Sequence, residues 1–170
     1  PAPLAIYLYP SQDVLHGAAA RRYGFAIAEA NEVHALWASA RDHQSLGHEM
    51  THVLAHQMLG EPHEALLGEG LAVCLDHATP PPHDRARALL ARGTLLAPRE
   101  ILGDAWFDAA PDRVYPTSGS FVCYLAERCG MAAFAELYRS PDLPAACEAH
   151  CDAALSELTQ AWREMLGGDG

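Results

Sequence analysis

The chain has 170 residues, of which 50% are hydrophobic, and it carries a formal net charge of −11 at pH 7. A chain of this length can bury its own core, so we expect a single domain over residues 1–170. The acidic charge argues against nucleic acid and anionic membranes as partners, since both require a basic surface, and no apolar run approaches the roughly 18–20 residues of a membrane span.

The first 40 residues predict a small β-sheet interrupted by one helix. Residues 4–9 form a β-rich run that ends at a proline, which is typical of a strand. Residues 11–22 can form a short helix, and two further strands are expected at residues 23–29 and 31–38.

The segment 45–60 predicts a helix that contains the pentapeptide HEMTH. His48 and His52 are four residues apart, so their imidazoles project from one helix face and can bind one metal ion. Glu49 lies about 100° further round the axis, where a carboxylate can act as general base toward a metal-activated water without binding the metal. His52 and His56 share the same spacing and form a rival pair, although no Glu follows His52.

The same helix has predicted boundaries and a predicted buried face. Ser45 is the expected N-cap, and Gly60 can end the helix because glycine adopts C-terminal capping conformations without strain. Burial is predicted from the helical period for Leu46, Met50, Val53, Leu54 and Met58.

A second helix is expected around Glu69, a carboxylate 17 positions after His52. Pro62 cannot continue the first helix, so the chain should turn and bring Glu69 near the two histidines. Gly68 and Gly70 weaken a helix, yet they allow a second backbone to approach closely. A solvated turn residue is the alternative for a Glu between two glycines, but its place after HExxH favours Glu69 as third metal ligand.

The rest of the chain predicts mostly helix. Residues 80–82 are three prolines and mark a loop, residues 93–98 form a linker, and residues 99–111 are mixed. Helices are expected at 84–92, at 118–128 with Gly130 as its end, at 131–139, and at 144–166 as one long helix or two shorter ones. A small N-terminal mixed sheet, the HExxH helix and a mostly helical C-terminal half indicate an α+β fold.

The five cysteines are an odd number and do not indicate a disulfide framework, so buried thiols are the default expectation. One disulfide is the alternative, joining Cys123 or Cys129 to Cys147 or Cys151. Cys147 and Cys151 flank a histidine but lack the paired CxxC spacing of structural zinc sites, which argues against a second metal site.

The two metal motifs resemble those of the gluzincin zinc peptidases. HExxH at 48–52 followed by EGLA at 69–72 is closest to the small bacterial peptidase MA-like domains and minigluzincins. Residues 115–130 and 158–165 are similar to later stretches of the peptidase MA-like group, so the resemblance extends over about residues 4–166. It implies a zincin-like fold and a bound Zn²⁺.

The resemblance further implies a metalloprotease, a zinc-dependent peptide-bond hydrolase that acts on peptide or protein substrates. His48, His52 and Glu69 would bind zinc, and Glu49 would be the catalytic base. Tyr115 is the expected donor to the reaction's oxyanion, with a packed aromatic residue as the equal alternative and His83 as a weaker one.

In gluzincins, the strand before the HExxH helix is a sheet edge that pairs with extended substrate. Residues 31–39 occupy that position here, which predicts an edge strand able to bind peptide by strand addition. A strand paired on both sides within the sheet is the alternative.

One departure from the resemblance concerns the residue that braces a ligating histidine. Thermolysin-like members have an acidic residue four places after the third ligand, where this chain has Val73. Asp76, on the same helical face as Glu69, could substitute. The departure leaves a second function open, a non-catalytic zinc-binding peptidase-like module with a scaffolding or sensing role, and His77 and His83 stay open as further metal ligands.

Location and assembly are less constrained by the sequence. The sequence begins at Pro1, so an N-terminal signal could have been removed, and an exported or periplasmic bacterial protein is one expectation. No pattern predicts the oligomeric state or the substrate specificity.

Overall fold

The computed structural model describes residues 3–19, 23–39, 42–43, 45–77 and 80–168. Within these residues the fold is α+β, as predicted, with a small mixed sheet followed by a mostly helical remainder. The chain divides into two compact units, residues 1–60 and residues 61–170. None of the described helices combines the length and apolar character that crossing a bilayer requires.

The sheet of the first unit is organised around its longest strand. That strand, β3, pairs with β1 in parallel and with β2 and β4 antiparallel, so the order is β1-β3-β2 with β4 beside the end of β3. The parallel β1–β3 pair requires a crossover, which contains helix α1. The bounds are Ala5–Tyr9 for β1, Gln12–Ala19 for α1, Phe25–Ile27 for β2, Glu32–Ser39 for β3 and Asp42–His43 for β4.

The prediction of an edge strand at residues 31–39 is wrong, because β3 is the centre of the sheet. Val33 and Ala35 on β3 are fully buried, and neighbouring strands pair with β3 on both sides. Residues 32–34 of β3 pair with both β1 and β2, so strand addition is not available there. The strand predicted at 23–29 is also shorter, since residues 28–30 form a 3-10 turn that ends at Asn31 with φ 57°. Residues 20–22, the end of the first predicted helix, lie outside the described residues.

Helix α2 (Leu46–Leu59) carries the HExxH pentapeptide and has the predicted ends. Ser45 is its N-cap, and Gly60, with φ 86°, is its C-cap. The helix packs against β2 and β3, with Val53 buried as predicted. Met58 is 79% exposed and Leu54 is 45% exposed, so their predicted burial is wrong. Leu54 is one residue after the buried Val53, and a step of one residue turns a side chain about 100° round the helix axis.

The second unit is helical throughout its described elements. The predicted helix at 131–139 is confirmed, and the predicted segment at 144–166 is two helices separated by Asp152 with φ 52°. The helices are α3 (Ala65–Leu75), α4 (Pro82–Ala91), α5 (Ala105–Asp108), α6 (Pro111–Cys129), α7 (Met131–Arg139), α8 (Leu143–Cys151) and α9 (Leu155–Gly167), with a 3-10 turn at Pro98–Ile101.

Helix α6 is the central element of the second unit and begins earlier than predicted. Pro111 is its first residue, where a proline stabilises a helix start, and Pro116 lies inside it. The Nε1–H of Trp106 donates to Ser118 Oγ and that of Trp162 donates to Ser120 Oγ, each at 3.0 Å. Both serines are fully buried, so these bonds satisfy polar groups that would otherwise be costly to bury.

Two disulfides hold the second unit together. Cys129 and Cys151 form one, which was among the predicted alternatives, whereas the Cys74–Cys123 disulfide between α3 and α6 was not predicted. Cys147 is a buried free thiol, and burial raises its pKa to about 11. The default expectation of buried thiols is therefore correct for Cys147 alone.

Candidate metal centre

Helix α2 presents two imidazoles on one face. The Nε2 atoms of His48 and His52 are 3.3 Å apart, and their ring planes are inclined at 77°. Two nitrogen ligands that each lie 2.0–2.1 Å from a tetrahedral zinc are about 3.4 Å apart. The two histidines therefore have the spacing that a shared zinc ion requires.

Glu69 lies on α3 with close helix packing on either side. A Cβ added to Gly70 would be 2.5 Å from Val122 Cγ2 and 2.7 Å from the carbonyl oxygen of Ser118. A Cβ added to Gly68 would be 2.8 Å from Pro62 Cγ. The prediction that these glycines permit close approach is confirmed, and the packing fixes the backbone from which the half-buried Glu69 side chain projects.

His48, His52 and Glu69 form a group that could hold a metal ion, because one ligand atom from each lies within 4.8 Å of the other two. Two imidazoles and one carboxylate match the donor set of catalytic zinc sites, which leave a further position open. Of the other candidates, His56, His77 and His83 do not belong to a metal-ligand group within the described part of the chain.

Glu49 follows His48 on α2 and is half-buried. Its carboxylate does not belong to the ligand group among the described residues. A role for Glu49 as general base stays a prediction.

Tyr115 lies within α6 and not in a loop before it. Its half-buried ring packs edge-on against Trp106, with the ring centroids 5.0 Å apart. The alternative prediction for Tyr115, a packed aromatic residue, is therefore confirmed for its ring. A role for its hydroxyl stays a prediction.

At the position of the missing acidic brace, the residue that would orient a ligating histidine, the side chain packs against another helix. Val73 is 5% exposed and lies over Gly119 of α6, where an added Cβ would be 2.3 Å from Val73 Cγ1. A carboxylate at this position would be buried against α6, which is costly without a partner. Asp76, the possible substitute, is the half-buried C-cap residue of α3.

His83 has a structural hydrogen bond at the start of α4. Its Nδ1 is 2.8 Å from Ser120 Oγ, which also accepts from Trp162. The hydroxyl can donate its one hydrogen to an unprotonated Nδ1 or accept from an Nδ1–H through its second lone pair. Burial lowers the pKa of His83, which favours the neutral ring. The geometry thus explains His83 without a role at the metal centre.

Sequence reasoning missed Tyr138, a buried residue of α7 whose hydroxyl oxygen is 3.9 Å from the position of a Cβ added to Gly68. Burial, followed by the carboxylates of Glu61 and Glu69, raises the pKa of Tyr138 to about 12. A tyrosine 70 positions after Gly68 carries no local spacing signal, so only the tertiary structure reveals the contact.

Comparison of the chain with protein-family models, with curated proteins and with solved structures gave no match. The interpretation of the site therefore depends on the side chains themselves.

Proposed function

We propose that the chain is a zinc-dependent peptide-bond hydrolase of the gluzincin type, with a zincin-like fold in which residues 1–170 act as one domain. The observation that carries the proposal is the 3.3 Å separation of the His48 and His52 Nε2 atoms, in a group that includes the Glu69 carboxylate. This separation is the one expected of two nitrogens on one tetrahedral zinc.

The donor set fits zinc, with His48, His52 and Glu69 as the residues that would hold it. When bound, zinc supplies Lewis-acid chemistry that activates water near neutral pH and polarises a peptide carbonyl. The Glu49 carboxylate accepts a proton from the attacking water and delivers it to the leaving amine nitrogen. The Tyr115 hydroxyl is the proposed donor to the oxyanion that develops on the carbonyl oxygen.

The proposed substrate is a peptide or protein. The net charge of −11 favours neutral or cationic substrates over acidic ones. Strand addition to β3 is not part of the proposal, because β1, β2 and β4 already pair with that strand. The two disulfides support an oxidising compartment, and we propose an exported or periplasmic location.

Two variants test the metal site and the base separately. We expect wild type to bind one zinc ion per chain and to cleave members of a peptide library. Glu69→Ala should lose zinc affinity by more than about 100-fold, since even outer partners of metal ligands contribute about 10–100-fold. Glu49→Gln should keep zinc and lose turnover by about 10²–10⁴-fold, because an amide cannot accept the proton.

The matched control for Glu49→Gln is Glu136→Gln. Glu136 is a half-exposed residue of α7 that pairs with Arg139, and removal of its charge should change neither zinc content nor turnover. Metal content is measured by elemental analysis after dialysis, and cleavage by mass spectrometry. Turnover by Glu49→Gln equal to that of wild type would contradict the proposed mechanism.

The packing of Val73 against Gly119 favours one second candidate, a zinc-binding peptidase-like module that scaffolds or senses without cleaving. That packing leaves no acidic brace at this position, and loss of a brace weakens metal binding and catalysis. Stoichiometric zinc in wild type together with no cleavage across the library would establish this second function and reject the first.

A further inference from the structure

Strand β1 forms one end of the sheet in the first unit. Among the described residues it pairs only with β3, whereas β3 also pairs with β2 and β4. The Ala5 N–H donates to the carbonyl oxygen of Asn31 at 2.9 Å, so Ala5 directs its backbone groups toward β3. Backbone groups of successive strand residues point to opposite sides. Those of Ile6 and Leu8 therefore point away from β3, toward the free edge of β1.

Strand β1 exposes apolar side chains on both faces of the sheet. Ile6 and Leu8 share one face and are 43% and 51% exposed, and Tyr7 on the other face is 45% exposed. Proteins commonly protect an edge strand with charges, prolines or a bulge. The β1 strand has the sequence AIYLY and contains neither a charge nor a proline. Its free edge is therefore suited to strand addition.

Tyr7 is the last ring of a stacked row that crosses the sheet. Tyr7, His34 and Phe25 lie opposite one another on β1, β3 and β2. The centroid of the His34 ring is 4.7 Å from that of Tyr7 and 4.5 Å from that of Phe25, and the ring planes are inclined by 13° and 5°. The imidazole is held at both nitrogens, since Nδ1 is 2.8 Å from the Tyr9 hydroxyl oxygen and Nε2 is 3.3 Å from a Glu32 carboxylate oxygen. One face of Tyr7 thus packs on a fixed ring, and its other face is directed toward the free edge.

The unit that contains β1 carries little of the chain's charge. Residues 1–60 include five acidic and three basic residues, so they contribute only −2 to the net charge of −11. Two copies can therefore approach at β1 with little electrostatic repulsion. The strand also offers no charged side chain that would select a basic or an acidic peptide. A second copy of the same uncharged strand is the occupant that this charge distribution favours.

We propose that β1 pairs with β1 of a second copy of this chain, antiparallel and with Tyr7 opposite Tyr7. In this register Ile6 lies opposite Leu8 of the second copy, and their outward backbone groups exchange hydrogen bonds on both sides of the two-fold axis. Tyr7 directs its backbone groups toward β3, as Ala5 does. The two tyrosines are therefore a non-hydrogen-bonded pair, in which side chains are closest and their rings can stack. Each copy uses its free edge, so assembly stops at a dimer.

Sedimentation velocity of the intact chain tests for the dimer. One pair of five-residue strands is smaller than the roughly 1,200–2,000 Å² of standard interfaces, so we expect mostly monomer at about 1 µM and mostly dimer at about 1 mM. Tyr7→Glu places like charges at the two-fold axis and should keep the chain monomeric at about 1 mM. The matched control is Met58→Glu, which alters another exposed apolar residue of the first unit and should dimerise as wild type does. Wild type that stays monomeric at about 1 mM would overturn the proposal in favour of a different extended peptide at this edge.

Two cysteine variants test the register. Tyr7→Cys brings two cysteines opposite one another in a non-hydrogen-bonded pair, where Cα atoms are about 4.5 Å apart, and should form an intermolecular disulfide under mild oxidation. In Leu8→Cys the two cysteines are offset by two residues, which separates their Cα atoms by roughly 8 Å, beyond the reach of a disulfide. Non-reducing electrophoresis and mass spectrometry detect the product against wild type. Equal cross-linking of the two variants, or none in either, would overturn the proposal.

A charge pair separates loss of the dimer from loss of folding. Ile6→Lys and Leu8→Glu should each raise the dimer Kd more than about tenfold, because each change occurs twice at the interface. Combined in one chain, they place opposite charges opposite one another, and the double variant should dimerise more tightly than either single variant. Urea unfolding at about 1 µM, where the chain is monomeric, checks the fold of each variant. A folded double variant that dimerises more weakly than both single variants would contradict the register, and where a charged variant fails to fold the cysteine variants decide.

Discussion

The two units present their candidate ligands in different ways. In the first unit, His48 and His52 stand one helical turn apart on α2, and their 3.3 Å separation follows from local helix geometry. In the second unit, Glu69 is positioned by packing, because close contacts at Gly68 and Gly70 and a disulfide at Cys74 fix the path of α3. Sequence spacing alone thus brings His48 and His52 together, whereas the position of Glu69 depends on contacts between residues far apart in the chain.

The two units also differ in their disulfide content. All five cysteines lie between residues 74 and 151, so only the second unit contains disulfides. In the first unit, α2 packs against β2 and β3 with Val53 buried, whereas Met58 is 79% exposed. Changes to the covalent framework and close packing should therefore have the larger effects on stability.

Removal of a disulfide should give the largest loss in the free energy of unfolding of the second unit. Cys74→Ser with Cys123→Ser opens a cross-link of sequence separation 49, and the chain-entropy relation gives a loss of about 4 kcal/mol in the free energy of unfolding. Cys129→Ser with Cys151→Ser opens a separation of 22 and should cost about 3 kcal/mol. Urea unfolding measures both, and a smaller loss for the longer cross-link would contradict the entropic account.

A matched pair of glycine variants compares the two units directly. Gly70→Ala should lower the free energy of unfolding by about 3 kcal/mol, since its Cβ would be 2.5 Å from Val122 Cγ2 and 2.7 Å from a backbone oxygen. Gly17→Ala in α1 meets no atom within 4 Å and should stabilise by up to about 1 kcal/mol through helix propensity. Equal effects of the two variants in denaturant unfolding would show that close packing at α3 does not govern stability.

Two substitutions in α2 compare a buried side chain with an exposed one. Val53→Ala removes fully buried methyl groups and should lower the free energy of unfolding by about 2 kcal/mol. Met58→Ala changes a side chain that is 79% exposed and should remain within about 0.5 kcal/mol of wild type. A larger loss of unfolding free energy for Met58→Ala than for Val53→Ala would indicate that Met58 is buried, as the helical period predicted.

Several features were predictable because they depend on neighbouring residues. Gly60 and Gly130 end their helices with φ of 86° and 82°, which glycine adopts without the cost that a Cβ imposes. The helix at 131–139 has the predicted bounds, and the sheet is small, mixed and N-terminal as expected. Helix ends and helical periods follow from the backbone preferences of a few adjacent residues, so one sequence contains the needed information.

Other features were not predictable because they depend on which elements meet. The strand at residues 31–39 has the composition of an edge or a central strand, and only the pairing with β1, β2 and β4 made it central. The partner of Cys74 is 49 residues away, at the contact between α3 and α6. Helix α6 extends back to Pro111 although Pro116 lies within it, since packing of this central helix outweighs the loss of one backbone donor.

The amino-acid sequence by itself determined the HExxH helix, its ends, and the shared face of His48 and His52, because a helix repeats every 3.6 residues whatever surrounds it. The tertiary structure alone decided the central place of β3, the pairing of Cys74, and the burial of Tyr138 near Gly68. The physical reason is that these features join residues far apart in the chain, and side-chain packing and burial select among many possible partners.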